Sequence, residues 1–268
     1  MATAGAGYAL APASGAPLAV QLLVLGHTLV GTALVAAGAS ALNQIAERDV
    51  DALMARTARR PLPSGRLGVA EAAAFAWPAS FLGIAWLWTF AGALTAALAI
   101  ATLLSYVLAY TPLKRVTPLA TLVGAVPGAL PIVGGWTAAG GALDARAGVL
   151  FAILFLWQLP HFLALGYLYR ADYLRAGLKV GVDGDGTAGF RLATMNALAL
   201  LPVALAPTVL ALAGVRYFAC AVALTAWYAW AAASAAREPS PARARRLFTA
   251  SLVYLPLLLG VMIADRIS

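Results

Sequence analysis

The chain has 268 residues, of which 63% are hydrophobic and only 10% are charged, and its formal net charge is +8. A soluble domain carries about 25% charged residues, so this chain lacks the polar surface that a soluble globule of its size needs. The composition excludes an ordinary soluble protein and indicates an integral membrane protein.

The uncharged stretches indicate where the chain crosses the lipid bilayer. The first charged side chain is Glu47, and 42 uncharged residues separate Glu71 from Lys114. A helix needs ~20 apolar residues to cross a bilayer, so the second stretch holds two spans. The stretches are continuous rather than alternating, which favours helices over strands. The sequence predicts an all-α bundle with eight spans, at 18–42, 70–90, 93–111, 118–138, 147–169, 191–213, 215–236 and 247–265.

The basic residues agree with this layout. If the connection after the first span is cytoplasmic, 15 of the 18 Lys and Arg residues lie on the cytoplasmic side, and the exceptions are Arg146, Arg216 and Arg266. Lys and Arg collect in cytoplasmic loops, so we expect a multi-pass protein with both termini outside. Because the basic residues are divided among membrane loops, the net charge does not indicate a nucleic-acid partner.

The chain is predicted to form a single membrane domain over residues 18–268, since no long soluble linker divides it. Residues 1–17 lack the basic segment of a secretory signal peptide, and we expect them to be a short disordered lead. The one cysteine, Cys220, excludes an intrachain disulfide and is interpreted as a small buried hydrophobic residue.

Three oxygen-bearing side chains are spaced four apart at the cytoplasmic end of the first span: Asn43, Glu47 and Asp51. Steps of four keep side chains on one face of a helix, advancing about 40° and about 6 Å each. Such ligands suit a hard cation such as Mg²⁺, which shares its coordination sphere with substrate phosphates. Asp49 lies off this stripe and is a weaker candidate.

Arginines follow this stripe directly, at 56, 59 and 60. Arginine binds phosphate through paired hydrogen bonds, so acids followed by arginines suggest a diphosphate site. The alternative is a solvated loop that obeys the positive-inside rule. Lys114 and Arg115, in the segment YTPLKR, are candidate phosphate contacts from a second loop, or an ordinary positive anchor of the membrane.

A third polar cluster lies at residues 157–177. Gln158 and His161 fall inside the fifth predicted span, where polar residues are costly and are functional candidates by default. Asp172 follows at the cytoplasmic end beside Tyr169, and its carboxylate is a candidate for a second metal position. The alternative for Asp172 is an ion pair with a neighbouring arginine, at 170 or 175.

The segment from Asn43 to Gly65 resembles the first motif of the UbiA superfamily of intramembrane prenyltransferases. Its form N-x-x-x-E-R-D-x-D-x-x-M-x-R-T-x-x-R-P-L-P-S-G is similar to that of the protoheme IX farnesyltransferase branch. The segments YTPLKR, GAVPGALP, WQLPHF and YLPLLLGVMIADR occur in the same order as in that branch. The resemblance covers about residues 18–268.

This resemblance implies a helical bundle of a bacterial inner membrane, with a central cavity and a polar cytoplasmic cap. It implies Mg²⁺-dependent transfer of a farnesyl group from farnesyl diphosphate to a vinyl group of heme B, giving heme O for a downstream heme-processing membrane enzyme. Carried onto this chain, the family's residues fall into two sets. The metal and catalytic positions are Asn43, Glu47, Asp51 and Asp172, and the substrate contacts are Arg56, Arg60, Lys114, Arg115, Gln158, His161 and Tyr169.

The chain departs from the family pattern at three places. The family has nine spans, so eight spans suggest that its first helix, with a Lys-Pro-Arg element, is missing. Ala171 stands where the family usually has an acid before Asp172. The segment LKVGVDGDG at 178–186 stands in place of the family's Pro-Met-Leu-Pro-like stretch. Asp183 and Asp185 are candidates to compensate.

Other functions remain open at this stage. A related prenyltransferase of this superfamily would act on an aromatic or quinone precursor instead of heme. A small transporter would carry internal repeats with broken helices near the membrane midplane, and no convincing repeat is present. A structural membrane subunit is the third alternative.

Overall fold

The computed structural model describes residues 1–12, 15–179 and 185–267, and the regular elements among them are helices. In chain order they are α1 (Ala2–Leu10), α2 (Leu18–Ala52), α3 (Val69–Ala91), α4 (Ala93–Leu104), a π-helical turn (Ser105–Tyr110), α5 (Thr111–Leu113), α6 (Ala120–Ala138), α7 (Ala145–Leu168), α8 (Arg170–Arg175), α9 (Thr187–Val209), α10 (Val215–Arg237) and α11 (Pro241–Ala264).

Eight of these helical segments are long and apolar enough to cross a membrane, counting Ala93–Leu113 as one. Each coincides with a predicted span, which confirms the predicted all-α bundle. The largest difference is in α2, which continues to Ala52 instead of ending at 42. Residues 43–52 contain no Gly or Pro, so nothing in them stops the helix, and the acidic stripe lies on its last three turns.

Successive spans run in opposite directions, so the bundle has two ends. One end carries the connection 53–68, the residues after α5, the described residues between α7 and α9, and the turn from α10 to α11. We call it the polar end, because 15 of the 18 basic residues lie there, as the predicted layout requires. At the opposite end Arg266 donates to the Ala9 carbonyl at 2.6 Å.

A local irregularity in the third span follows from its sequence. Pro112 has no N–H and its ring clashes with the carbonyl four residues earlier. The turn over Ser105–Tyr110 is π-helical, which accommodates the proline within the span. This change of pitch precedes Thr111, which is buried against α2.

Helices α2 and α3 pack closely because glycines leave room at their contact. A Cβ on Gly38 would lie 2.2 Å from Ser80 Oγ, and one on Gly83 would lie 2.8 Å from Val35. Small residues allow membrane helices to approach until their backbones touch. The contact holds the middle of α2 in place, and with it the acidic stripe near its end.

The predicted disordered lead is wrong for most of its length, because Ala2–Leu10 form helix α1. This helix packs against α6 through two glycines. A Cβ on Gly7 would lie 1.9 Å from the Ile132 carbonyl oxygen, and one on Gly135 would lie 1.8 Å from the Ala4 carbonyl oxygen. Small residues such as these allow close helix packing.

Two of the hydrophobic clusters show how the helices pack. The larger one joins α6, α7, α9, α10 and α11 around Trp136, Tyr217 and Tyr254. A small cluster at the polar end joins Val50 and Met54 to Ala176 and Leu178. It packs the end of α2 against the segment that follows α8.

Candidate active site

The predicted acidic stripe is present on α2, and all three side chains are buried at the polar end. Glu47 and Asp51 are only 4% and 1% exposed, and Asn43 is buried beside them. Asn43 Nδ2 donates to Glu47 Oε2 at 3.1 Å. Burying carboxylates is costly unless opposite charges accompany them, so the cations around these acids are the next feature of the site.

Lys114 forms an ion pair with Glu47. It follows α5 directly, and its ammonium also lies 5.0 Å from the centre of the Tyr110 ring. Burial lowers the pKa of Lys114 to about 8, and the nearby Arg115 lowers it as well. Through this ion pair the lysine compensates a carboxylate from a different span.

Asp51 is compensated from the connection that follows α2. Arg60 Nη1 donates to Asp51 Oδ2 at 2.8 Å. Thr57 Oγ1 donates to the Asp51 carbonyl at 2.8 Å, which satisfies one of the carbonyls left free at the helix end. These two bonds fold the connection back over the stripe and place Arg60 beside it.

Thr111 completes the cluster and was not predicted. Its hydroxyl lies 2.9 Å from Asn43 Oδ1 and 2.8 Å from the Tyr106 carbonyl. With its oxygen held there, the Asn43 amide turns its nitrogen towards Glu47. The only sequence signal was its position between an aromatic residue and Pro112 in YTPLKR.

Arg115 contacts α2 rather than the carboxylates. Its Nη2 donates to the Ala46 carbonyl at 2.9 Å. The adjacent Lys114 therefore reaches Glu47 while Arg115 holds the helix that carries it. In this state the pair predicted as phosphate contacts divides into one residue in the cluster and one that fixes α2.

Asp172 forms an ion pair with Arg175 within α8, which is the alternative that the sequence left open. No described contact joins it to the stripe on α2. Arg56 reaches its neighbourhood from the other side, lying 5.4 Å from the Tyr169 ring centre and hydrogen-bonding Tyr173. Burial raises the pKa of Tyr173, and Arg56 opposes this rise.

Asp183 and Asp185 are the candidates to compensate for the acid that Ala171 replaces. Asp183 lies outside the described residues. Asp185 accepts hydrogen bonds from Thr187 N at 2.9 Å and Thr187 Oγ1 at 2.7 Å, and these bonds lower its pKa. It therefore binds the first turn of α9.

The polar residues of α7 do not meet the stripe through any described contact. Gln158 Nε2 donates to the Ala125 carbonyl of α6 at 2.7 Å. His161 Nδ1 lies 2.7 Å from Ser251 Oγ of α11, and its ring stacks on Phe248 at 4.8 Å. In this state Gln158 joins α7 to α6, and His161 joins α7 to α11. Nothing in the sequence had indicated that Ser251 would be the partner of His161.

An apolar cavity of about 80 Å³ lies between α2, α3, α4 and α6. On α2 it is lined by Thr32, Ala36 and Ala39, which continue the face of Asn43 at steps of four, three and four residues. The cavity therefore lies below the acidic cluster on the same side of the helix.

The sequence matches the UbiA prenyltransferase family over residues 1–255. The chain belongs to the UbiA prenyltransferase family. It is 45% identical over 249 residues to the protoheme IX farnesyltransferase of Solibacter usitatus, covering 92% of this chain and 85% of that one. It is 42% identical over 262 residues to the protein of that name from Koribacter versatilis, covering 94% and 84%.

Solved structures of this family share the fold. A digeranylgeranylglyceryl phosphate synthase matches with a TM-score of 0.79 at 18% identity, covering 98% of this chain and 91% of that one. A UbiA homolog from Archaeoglobus fulgidus bound to GPP and Mg²⁺ matches with a TM-score of 0.69 at 16% identity, covering 98% and 94%.

The donor set on α2 fits a hard cation. Glu47, Asp51 and Asn43 supply carboxylate and amide oxygens, which are the ligands that such ions prefer. Glu47 Oε1 is buried and accepts no hydrogen bond of good geometry in the described structure, although Lys114 lies beside it. Among the described residues no three His, Cys, Asp or Glu side chains cluster closely enough to hold a metal alone, so phosphate oxygens or water would complete its shell.

Proposed function

We propose that this chain transfers the farnesyl group of farnesyl diphosphate to a vinyl group of heme B, giving heme O. The observation that carries the proposal is the buried cluster of Glu47 and Asp51 with Lys114 and Arg60, above an apolar cavity on the same face of α2. The names of the relatives described above support heme B as the acceptor.

Each part of the substrate has a matching feature. Lys114, Arg60 and Arg56 supply positive charge for the diphosphate, and Tyr169 lies beside Arg56. The farnesyl chain would follow the apolar face of α2, enlarging the small cavity there. His161 and Gln158 remain candidates for heme contacts, provided that they leave their present partners on α11 and α6.

Mg²⁺ would be held by Asn43, Glu47 and Asp51, with Asp172 as a second position once it separates from Arg175. When bound, the ion would neutralise charge on the diphosphate. The C–O bond between the farnesyl carbon and the diphosphate breaks, and the diphosphate leaves with the electron pair. Lys114 and the arginines stabilise its charge. The vinyl group forms the new C–C bond, and water adds to the remaining cation with loss of a proton.

The test is a reconstituted assay of the purified protein with heme B, farnesyl diphosphate and Mg²⁺, in which heme O is detected by mass spectrometry. We expect Asp51→Asn and Asp172→Asn to lower the rate at least 100-fold, and Asp49→Asn to retain activity, because Asp49 is exposed and off the stripe. Normal turnover in both site variants would refute the site. Prenylation of an aromatic acid but not of heme would refute the acceptor.

We also propose that the polar end faces the cytoplasm of a bacterial inner membrane, where a downstream enzyme would accept the product. The distribution of basic residues supports this orientation. After replacement of Cys220, single cysteines at Arg59 and at Leu143 should react with a membrane-impermeant thiol reagent from opposite sides of the membrane. Labelling of the Arg59→Cys variant from outside intact cells would contradict the orientation.

A further inference from the structure

A groove of about 920 Å³ lies between α10 and α11 at the polar end, away from the acidic cluster. Trp227 and Trp230 of α10 and Val253 of α11 form its apolar walls, and all three side chains are exposed. Ala231 and Ala250 are buried beneath them. The groove exists because these small residues leave the space between the two helices unfilled.

Two arginines without acidic partners stand at the rim of this groove. Arg245 and Arg246 line it and are exposed, and neither has a described hydrogen bond or ion pair. Their neighbour Arg243 is engaged, since it bonds Ser234 Oγ at 2.7 Å and forms an ion pair with Glu238. Two free guanidinium groups beside an apolar cleft suit an anionic ligand with a hydrocarbon portion.

The vertical order of these groups matches that of a phospholipid. Arg245 and Arg246 lie in the first two turns of α11, which begins at Pro241. Trp230 and Trp227 lie seven and ten residues before Arg237, the last residue of α10, about 10 and 15 Å from that helix end, whereas Arg245 and Arg246 lie about 6 and 8 Å from the start of α11. The arginine charges therefore lie nearer the polar end than the indole rings, as a headgroup phosphate lies above the first part of an acyl chain.

We propose that this groove binds one anionic phospholipid of the same leaflet, with its phosphate on Arg245 and Arg246 and an acyl chain against Trp227 and Trp230. Basic pockets between membrane helices bind anionic headgroups, and each basic residue near the surface contributes about fivefold to affinity. Indole rings favour this interfacial depth, and arginine binds phosphate through two parallel hydrogen bonds.

The neighbouring groove, between α9 and α10, provides an internal comparison. It has a volume of about 610 Å³ and carries two arginines at the same end, Arg191 and Arg237, but no aromatic side chain lines it. Non-specific attraction of anionic lipid to positive charge would treat the two grooves alike. A specific binding site that needs both arginines and tryptophans would bind anionic lipid more tightly in the groove between α10 and α11 than in the groove between α9 and α10.

The experiment measures quenching of tryptophan fluorescence by brominated lipids in nanodiscs of phosphatidylcholine that contain the full chain. Brominated phosphatidylglycerol is the probe, and brominated phosphatidylcholine is its neutral counterpart. The chain has seven tryptophans, so the signal of the site is taken as the part lost in a variant with Trp227→Phe and Trp230→Phe.

We expect that signal to saturate at a low fraction of phosphatidylglycerol. Changing Arg245→Gln and Arg246→Gln together should weaken apparent affinity about 25-fold, while Arg245→Lys with Arg246→Lys should recover most of the loss. The control pair Arg191→Gln with Arg237→Gln removes the same charge and should change affinity less than threefold.

Three results would overturn the proposal. The first is equal quenching by the two brominated lipids, and the second is equal loss in the two double glutamine variants. The third is displacement of phosphatidylglycerol from the groove by stoichiometric heme B, which would assign the groove to an anionic porphyrin instead. Unfolding of the glutamine variant would be detected by its thermal transition, and the lysine variant would then decide the question.

Discussion

The ion pair between Lys114 and Glu47 makes a quantitative prediction about the site. Its side chains are only 11% and 6% exposed, so little water screens it. Lys114→Met would leave a buried carboxylate whose remaining described partner is the Asn43 amide, at 3.1 Å. Breaking a buried pair from one side costs about 3–5 kcal/mol, whereas replacing both members by neutral groups is often close to neutral.

We therefore expect Lys114→Met and Glu47→Gln each to lower the free energy of unfolding by about 3 kcal/mol, and the double variant to recover at least about 2 kcal/mol as coupling. The measurement is unfolding in mixed micelles of mild detergent and sodium dodecyl sulfate, followed by tryptophan fluorescence. Arg48→Met is the matched control, since its pair with Asp49 is 50% and 81% exposed and should contribute less than about 1 kcal/mol. Additive losses in the double variant would refute the coupling.

Three further variants test neighbouring features. Gly135→Ala should displace α1 and lower the melting temperature by several degrees, whereas Gly134→Ala, where a Cβ meets no atom within 4 Å, should not; equal melting curves would contradict the packing. Thr111→Val removes the hydroxyl at 2.9 Å from the buried Asn43 amide oxygen and should lower kcat by about tenfold, with a loss of about 1–3 kcal/mol in the free energy of unfolding. Ala36→Phe, inside the apolar cavity, should lower kcat/KM for farnesyl diphosphate at least tenfold, and Ala33→Phe, which does not line it, should leave kcat/KM unchanged.

The sequence predicted well what depends on local spacing. Eight spans followed from uncharged stretches, and the stripe of Asn43, Glu47 and Asp51 followed from steps of four on one helix. Both are properties of a single segment. The arginine beside Asp51 was also foreseeable, because Arg60 is only nine residues away and the connection is short.

What joins distant segments was harder to predict. Thr111 meets Asn43 across 68 residues of sequence, and Arg115 reaches α2 across 69. Polarity identified Gln158 and His161 as unusual within a span, but it could not tell which neighbouring helix each would contact. Helix α1 was missed because glycine indicates flexibility in isolation and close packing only when a partner helix is present.

The charges of the cluster are balanced before any substrate arrives. Two buried carboxylates, Glu47 and Asp51, face two cations, Lys114 and Arg60. A diphosphate bound to those cations would compete with the carboxylates for them and would add several negative charges to a site with little water. Uncompensated charge of that kind is strongly unfavourable in a buried site. We therefore expect a prenyl diphosphate to bind this cluster tightly only together with a divalent cation, so that removing Mg²⁺ should weaken binding of the diphosphate itself as well as its turnover.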